Sequence, residues 1–309
     1  MVALRKSLRN RFLIVLNPVA GVAGNRVMPE VVATLEEAGA KVTVVRPTSG
    51  LEARRRARDA AKGSGYDAIV AAGGDGTIRE VAAGIAGTEV PIGVVPIGTG
   101  NVLAREIGLR LRVQEIAHTL LAGTVMELQV GRANHEPFLL MAGAGFDARV
   151  SAAVDRRVQR RVGKLAYLVP TARALLQPLD ELDVMIDGNA YRGNWVVVAI
   201  ARYYGGSFVL APKTTIFAAG LCTVLFQARS RGARASQLTA LACGRLATRR
   251  DVFTVPCERV RIASKVQIPT QIDGDPFDCT PLEVEITEQR IGIIVDRAHL
   301  PPGASRHGR

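Results

Sequence analysis

Short apolar runs and helical faces alternate through the first third of the chain. Phe12 to Leu16 is an unbroken apolar run that stops at Asn17-Pro18, the pattern of a strand buried on both faces of a parallel sheet. Val27, Val31, Leu35 and Ala38 recur at helical spacing, which predicts a helix over 27–38. The alternation continues with a strand at 41–45, an arginine-rich helix at 52–61, a strand at 68–72 and a helix at 78–85. A strand at 92–95 follows, then helices at 102–107 and 113–122. Strands and helices in this order predict a parallel α/β domain.

The texture changes near residues 123–128. Strand-like runs then occupy 137–141, 183–187, 194–200, 221–226, 252–255, 258–263, 266–268 and 282–287. Helical pattern persists mainly at 149–176 and 235–247. This predicts a β-rich second domain, a sandwich or barrel with a helical insertion. The expected class is α/β plus β, with residues 1–126 as the α/β domain and 127–309 as the second, whose last strands are free to return to the first.

Three turns follow strands of the first domain: Asn17 to Gly24, Gly73-Gly74-Asp75-Gly76-Thr77, and Pro96-Ile97-Gly98-Thr99-Gly100-Asn101. All are expected at the carboxyl ends of parallel strands, the edge where open α/β sheets bind ligands. In the second turn, glycine lets the backbone come close to a ligand, and the helix that follows aims its free amides at it. The turn lacks the Gly-Lys-Ser/Thr ending of a P-loop and has an aspartate where a dinucleotide fingerprint would not. A carboxylate among phosphate-binding amides suggests a cation between them, so Asp75 points to a magnesium-bridged nucleotide. Thr77 and Thr99 offer hydroxyls to phosphate oxygens, while Asn17 and Asn101 can bond a phosphate or brace a turn. One glycine turn alone is commonly a tight strand–helix connection; three in succession, with an embedded Asp and two Thr, are harder to explain that way.

Composition narrows the partners. At 309 residues and 48% hydrophobic, the chain exceeds one ordinary core and fits two domains. Lys plus Arg is 40 against 28 for Asp plus Glu, and this net charge of +12 implies an anionic partner. Aromatics make up only 5% and do not interleave with basic stretches, so nucleic acid is not expected. Cys222, Cys243, Cys257 and Cys279 form no CxxC pair and fit thiols of a reducing cytosol. The apolar run at 12–16 is too short for a signal peptide, and no window of ~18 apolar residues lacks charge. A cytoplasmic protein reaching any lipid from the membrane surface is therefore expected.

The motifs run in the order of a known family. Asn17-Pro18 with Gly21, Gly73 to Thr77 with Glu80, Pro96 to Ala104, Ala142 to Ala148, Tyr203 to Phe208 and Ile272-Asp273-Gly274-Asp275 span nearly the whole chain. Together they make the chain resemble the diacylglycerol kinase catalytic-domain family of bacterial lipid kinases, with its sphingosine and ceramide kinase relatives. The GGDGT stretch is shared with nicotinamide-nucleotide kinases and phosphofructokinases; the later motifs are more specific. The resemblance implies an ATP-binding α/β domain related to that of NAD kinases, a C-terminal β-sandwich that helps hold a lipid, and transfer of the γ-phosphate of ATP, with Mg2+, to a lipid hydroxyl. It implies nucleotide contacts from Asn17, Gly21, Thr48, Gly73, Gly74, Asp75, Gly76, Thr77, Glu80, Gly98, Thr99 and Asn101. It implies catalytic roles for Asp273, Asp275 and Asp75, with Asp75 reaching the metal through the ATP phosphates. Members carry a DGE motif where this chain has Asp273-Gly274-Asp275, a segment that read alone is a hairpin turn.

The chain departs from the family at three further places. Ala219 stands where members often have a metal-binding Asp, Arg79 where they often have Asn, and Val102 where many bacterial members have Asp. The Gly98 to Ala104 stretch is similar to the sphingosine-kinase version. A diacylglycerol-type substrate is the first expectation, with a sphingoid or ceramide-type lipid kinase, or a non-catalytic nucleotide- or lipid-binding member, as alternatives. A soluble dinucleotide kinase is disfavoured by Gly205-Gly206 and Asp273 to Asp275. A homodimer stays open. Basic clusters at Arg54 to Arg58, Arg156 to Arg161 and Arg245 to Arg250 read first as solvated helix faces. The second runs on into Leu165, Tyr167, Leu168 and Val169, which suits a peripheral contact with anionic headgroups.

Overall fold

The computed structural model describes residues 9–18, 22–63 and 65–300. They fall into two compact units: one takes in the described residues up to Leu128 and from Gln289 on, the other is Gln129–Glu288.

The first unit alternates β1 (Arg11–Leu16), α1 (Val22–Glu37), β2 (Lys41–Val45), α2 (Gly50–Lys62), β3 (Ala68–Gly73), α3 (Asp75–Ile85), β4 (Ile92–Pro96), α4 (Val102–Glu106) and α5 (Val113–Ala122). The strands lie parallel in the order β2-β1-β3-β4. Every residue of β3 and β4 is buried, as the apolar runs require of central parallel strands. Phe12, Ile14, Ala68, Val70, Ala72 and Val95 join Val31 and Leu35 of α1 and Ile116 and Leu120 of α5 in one core. On α2, Ala53, Ala57 and Ala61 face inward and Arg55, Arg56 and Arg58 outward. A Cβ on Gly84 of α3 would stand 2.4 Å from the carbonyl of Arg54 and 2.8 Å from the Ala57 methyl, so that glycine sets the close α2–α3 approach. Arg54 is bonded to Glu80 at 2.9 Å and Arg56 to Glu52 at 3.2 Å, so this basic cluster is partly spent inside the fold.

The second unit builds a six-stranded antiparallel sheet in the order β14-β13-β10-β7-β16-β17. Its strands are β7 (Met141–Gly145), β10 (Trp195–Ala199), β13 (Leu221–Phe226), β14 (Val252–Cys257), β16 (Pro269–Ile272) and β17 (Asp275–Cys279). A second layer holds β8 (Leu182–Ile186), β9 (Asn189–Gly193), β15 (Arg259–Ala263), and the start of β18 (Leu282–Val295). The remaining strands are β5 (Thr124–Ala133), β6 (Glu136–Phe138), and the two-residue pair β11 (Tyr203–Tyr204) and β12 (Phe208–Val209). Trp195 stacks on Phe226 at 3.8 Å between ring centres and tilts against Phe146 at 5.2 Å. The result is a sandwich-like β unit and a parallel α/β unit, the expected class. None of the four cysteines is in a disulfide, and burial pushes the Cys222 thiol up to about 12.

Several elements differ from the sequence expectations. The helical stretch 149–176 divides into α6 (Phe146–Ala153), α7 (Arg156–Val162) and α8 (Leu168–Leu176). Asp155 caps α7 by accepting from the Arg157 amide, and Gly163 at φ 60° ends it. The run at 137–141 resolves into β6 and β7, with Leu139 and Leu140 between them. The strand placed at 266–268 lies at 269–272. The transition expected near 123–128 is taken up by a ten-residue strand, Thr124–Ala133, in which Met126, Leu128 and Val130 are buried. The helix expected at 235–247 is α9 (Arg231–Ala242), capped by Ser230. β18 runs past the strand placed at 282–287 to Val295, and its end pairs in parallel with β4 through Ile293 and Ile92.

Candidate nucleotide and catalytic site

Because β1, β3 and β4 are parallel, the turns after them share one edge of the sheet. The backbones of the second and third turns touch. A Cβ on Gly98 would stand 2.2 Å from the Cα of Gly74, and one on Gly73 would stand 2.4 Å from the Thr77 hydroxyl. Real Cβ contacts do not come so close, so glycine is required at both positions for steric reasons. The Asn17 amide donates to the Thr77 hydroxyl at 2.9 Å, joining the first turn to the second. Asn101, in the left-handed region at φ 52°, accepts from the Gly98 amide and donates to the carbonyls of Pro96 and Gly98, knotting the third turn on itself.

Asp75 ties the second turn to the third. One carboxylate oxygen accepts from the Val102 amide and the other from the Leu103 amide, each at 3.0 Å. These are the opening residues of α4, so the charge sits where a helix start favours an anion. A Cβ on Gly100 would come within 3.0 Å of the same carboxylate. The departure at Val102 is thus harmless to this contact, which uses the backbone. The outcome is two glycine turns packed against one another at the start of α3 and tied together by one fixed carboxylate.

Two expected nucleotide contacts have local partners. Thr48 donates its amide and its hydroxyl to Glu52 at 2.8 Å each, and Ser49 accepts from the Glu52 amide, a reciprocal cap on α2. Those hydrogen bonds hold the Glu52 carboxyl down at about 2. Glu80 is clamped to Arg54, under Gly50, where a Cβ would stand 3.1 Å from its Cγ. Gly21 lies outside the described residues.

Asp273 and Asp275 lie in the second unit, at the β16–β17 hairpin. The two carboxylates differ in kind. Asp273, at φ 50°, accepts from the Leu140 and Met141 amides at 2.8 and 3.1 Å and from the Leu139 amide at 3.1 and 3.3 Å. It anchors the link between β6 and β7. Asp275 opens β17, is half-buried, and pairs with the exposed Arg156 at 3.3 Å.

One buried carboxylate of this unit had no role assigned from sequence. Asp147, first turn of α6, is 4% exposed. It accepts from the Ala148 amide at 2.8 Å and from the Gln271 side chain at 3.1 Å, while the Gln271 carbonyl accepts from the Gly274 amide at 2.8 Å. Asp147 therefore positions the Asp273-Gly274-Asp275 turn through Gln271, a link across 124 residues that only the Gly145-Phe146-Asp147 motif hinted at. Burial pushes its carboxyl up to about 7 against an ordinary 3.8, outweighing the hydrogen bonds that favour the charged form. The folded value lies above the unfolded one, so the favourable contribution is present below the ordinary value and lost as pH rises through about 7. Stability is expected to fall between pH 5 and pH 8 by ~2–3 kcal/mol from this group. Melting curves at both pH values check this: Asp147→Asn should flatten the dependence, and an unchanged slope in the variant would assign it elsewhere.

Comparison with known proteins bears on both units. Residues 11–133 match the diacylglycerol kinase catalytic domain, and residues 141–295 match the YegS C-terminal NAD kinase beta sandwich-like domain. A diacylglycerol kinase of Bacillus subtilis is 26% identical over 93% of this chain and 97% of that protein. A diacylglycerol kinase of Staphylococcus epidermidis is 27% identical over 94% of this chain and 93% of its own. A crystal structure of a diacylglycerol kinase from Bacillus anthracis has the same fold, with a TM-score of 0.75 at 21% identity over 95% of this chain and 99% of that one.

Proposed function

Because the chain belongs to the diacylglycerol kinase catalytic-domain family of lipid kinases, we propose that it transfers the γ-phosphoryl group of ATP to a hydroxyl of a diacylglycerol-type lipid. The observation that carries this reading is the contact of the two glycine turns through Gly74 and Gly98, braced by Asp75 on the α4 amides. In phosphoryl transfer the protein mainly positions groups and stabilises charge, and a prefixed pair of glycine turns at a helix start suits that task.

In this reading the phosphates lie at the start of α3, against the turn amides and the hydroxyls of Thr77 and Thr99. Among the described residues no group of three or more His, Cys, Asp or Glu side chains stands together as a metal cage, and Ala219 offers no ligand. A single fixed carboxylate, Asp75, suits instead a Mg2+ that arrives with the nucleotide and keeps several waters. Such an ion would neutralise phosphate charge. Asp75 would orient its shell without giving up the two amide bonds.

The lipid hydroxyl proton goes to Asp275. Asp273 has its oxygens committed to three amides, whereas Asp275 faces a salt bridge with an exposed arginine that a substrate can displace. As the proton passes to Asp275, the hydroxyl oxygen bonds to the γ-phosphorus and ADP leaves. Purified protein with labelled ATP, magnesium and a panel of diacylglycerol, sphingosine, ceramide and a nicotinamide dinucleotide tests the reading. Label is expected in diacylglycerol, and Asp275→Asn should cut kcat by ~10²–10⁴ with an unchanged melting temperature. Label only in the dinucleotide, or in no acceptor despite ATP binding, overturns it.

A further inference from the structure

Thirteen large apolar side chains are exposed among the described residues, and six of them fall within residues 158–176. They are Val158, Val162, Leu165, Leu168, Val169 and Leu176; Leu165, Leu168 and Leu176 are 65%, 64% and 70% exposed. The segment is α7, a 3-10 turn over Gly163–Tyr167, and α8. Nothing on α7 is buried. On α8, Pro170 and Ala174 face the unit, where Arg234 donates to the carbonyls of Ala174 and Gln177 at 3.0 and 2.8 Å. Gln159 donates to the Tyr167 hydroxyl at 3.1 Å, folding α7 back onto the turn. The aliphatic side chains are thus held outward on an ordered support. Exposure of this density in one short stretch marks an interaction surface.

Charge identifies the occupant. Residues 155–176 carry Arg156, Arg157, Arg160, Arg161, Lys164 and Arg173 against one acid, Asp155, which is spent on the α7 cap. Arg156 pairs with Asp275; among the described residues the other four cations of α7 and its turn make no ion pair. Exposed leucines and unpaired cations in one short segment match an interface of hydrocarbon beneath anionic headgroups, and a protein groove would leave most of these charges unanswered. We infer that residues 157–176 form a docking surface for an anionic phospholipid bilayer, with Leu165, Leu168, Val169 and Leu176 entering the headgroup–acyl boundary and Arg157, Arg160, Arg161 and Lys164 on the phosphates. The surface stands independently of the phosphoryl-transfer reading, and Arg156 links it to Asp275.

Sedimentation of the full chain with vesicles, without ATP, tests the surface. Binding to phosphatidylcholine vesicles containing ~30 mol% phosphatidylglycerol is expected to exceed binding to pure phosphatidylcholine by at least ~10-fold, and to weaken with salt. Leu165→Ser with Leu168→Ser should reduce binding ~10-fold or more, and Arg157, Arg160, Arg161 and Lys164 all changed to Gln should erase the lipid preference. All six side chains are exposed, so melting temperatures should match the parent. Equal binding to both vesicle types, undiminished binding of the leucine variant, or a self-association that the leucine variant abolishes in the absence of lipid would each overturn the inference. Phosphorylation of detergent-dispersed diacylglycerol separates the two readings: micellar activity without vesicle binding sinks only the docking surface, and vesicle binding without micellar activity sinks only the kinase reading.

Discussion

Asp273→Ala is expected to lower the melting temperature by ~10–20 °C and to abolish turnover as a consequence. The carboxylate is the acceptor for the Leu139, Leu140 and Met141 amides, and Leu139, Leu140 and Met141 are each no more than 4% exposed. Buried amides without acceptors cost ~1–3 kcal/mol each, and alanine also loses ~1 kcal/mol in the left-handed conformation at φ 50°. A sum of ~3–6 kcal/mol follows after partial relaxation. Asn is the informative companion. It tolerates that conformation, and its single oxygen can keep the bonds that Oδ1 now takes from the Leu140 and Met141 amides. Asp273→Asn should therefore fold and keep more activity than Asp275→Asn. If Asp273→Asn folds as well as the parent and is as dead as Asp275→Asn, the anchor role is wrong and Asp273 is the base.

Asp75→Ala is expected to reduce lipid phosphorylation by ~10³-fold or to below detection, with a melting temperature only a few degrees lower. The loss comes from two directions. The turns around Gly74 and Gly98 lose the brace that holds them, and the charge available to a nucleotide-borne cation disappears. Asp75→Asn should be no better than alanine. Two amide donors point at the side chain, and asparagine meets one of them with its own NH2. Calorimetric titration with ATP, with and without magnesium, separates the effects: the brace lowers affinity in both conditions, the cation role only with metal present. Full activity in either variant would remove Asp75 from the mechanism.

Much of the first unit was legible because its local signals agree. The apolar runs at 12–16 and 68–72 are too short for helices and end at Gly or Pro, so β1, β3 and the turns after them follow from neighbouring residues alone. The helix after Gly73-Gly74 was legible for the same reason, although it starts at Asp75 rather than at the expected residue 78. The job of Asp75 was only half legible. Its position among amides points to a phosphate site, but the two amides it holds lie 27 and 28 residues away and belong to another helix. Nothing local marks such a pair. The same distance problem hid Asp147, whose partner Gln271 is 124 residues on. In the second unit, β9 and β17 escaped because they are short and polar, with alternation too weak to stand out from turns. Asp273-Gly274 is both the hairpin turn that its dipeptide suggests and part of the candidate site, so the two descriptions were never rivals.

The last strand has a consequence for how the protein is made. Val295 closes a strand that begins in one unit and ends beside β4 in the other, so the sheet of the first unit lacks a member until nearly the whole chain has left the ribosome. Up to that point β4, buried along its length in the finished fold, has an open neighbour position that any passing strand can fill. The unit that opens with β1 is thus completed only when the residues from Gln289 on join it.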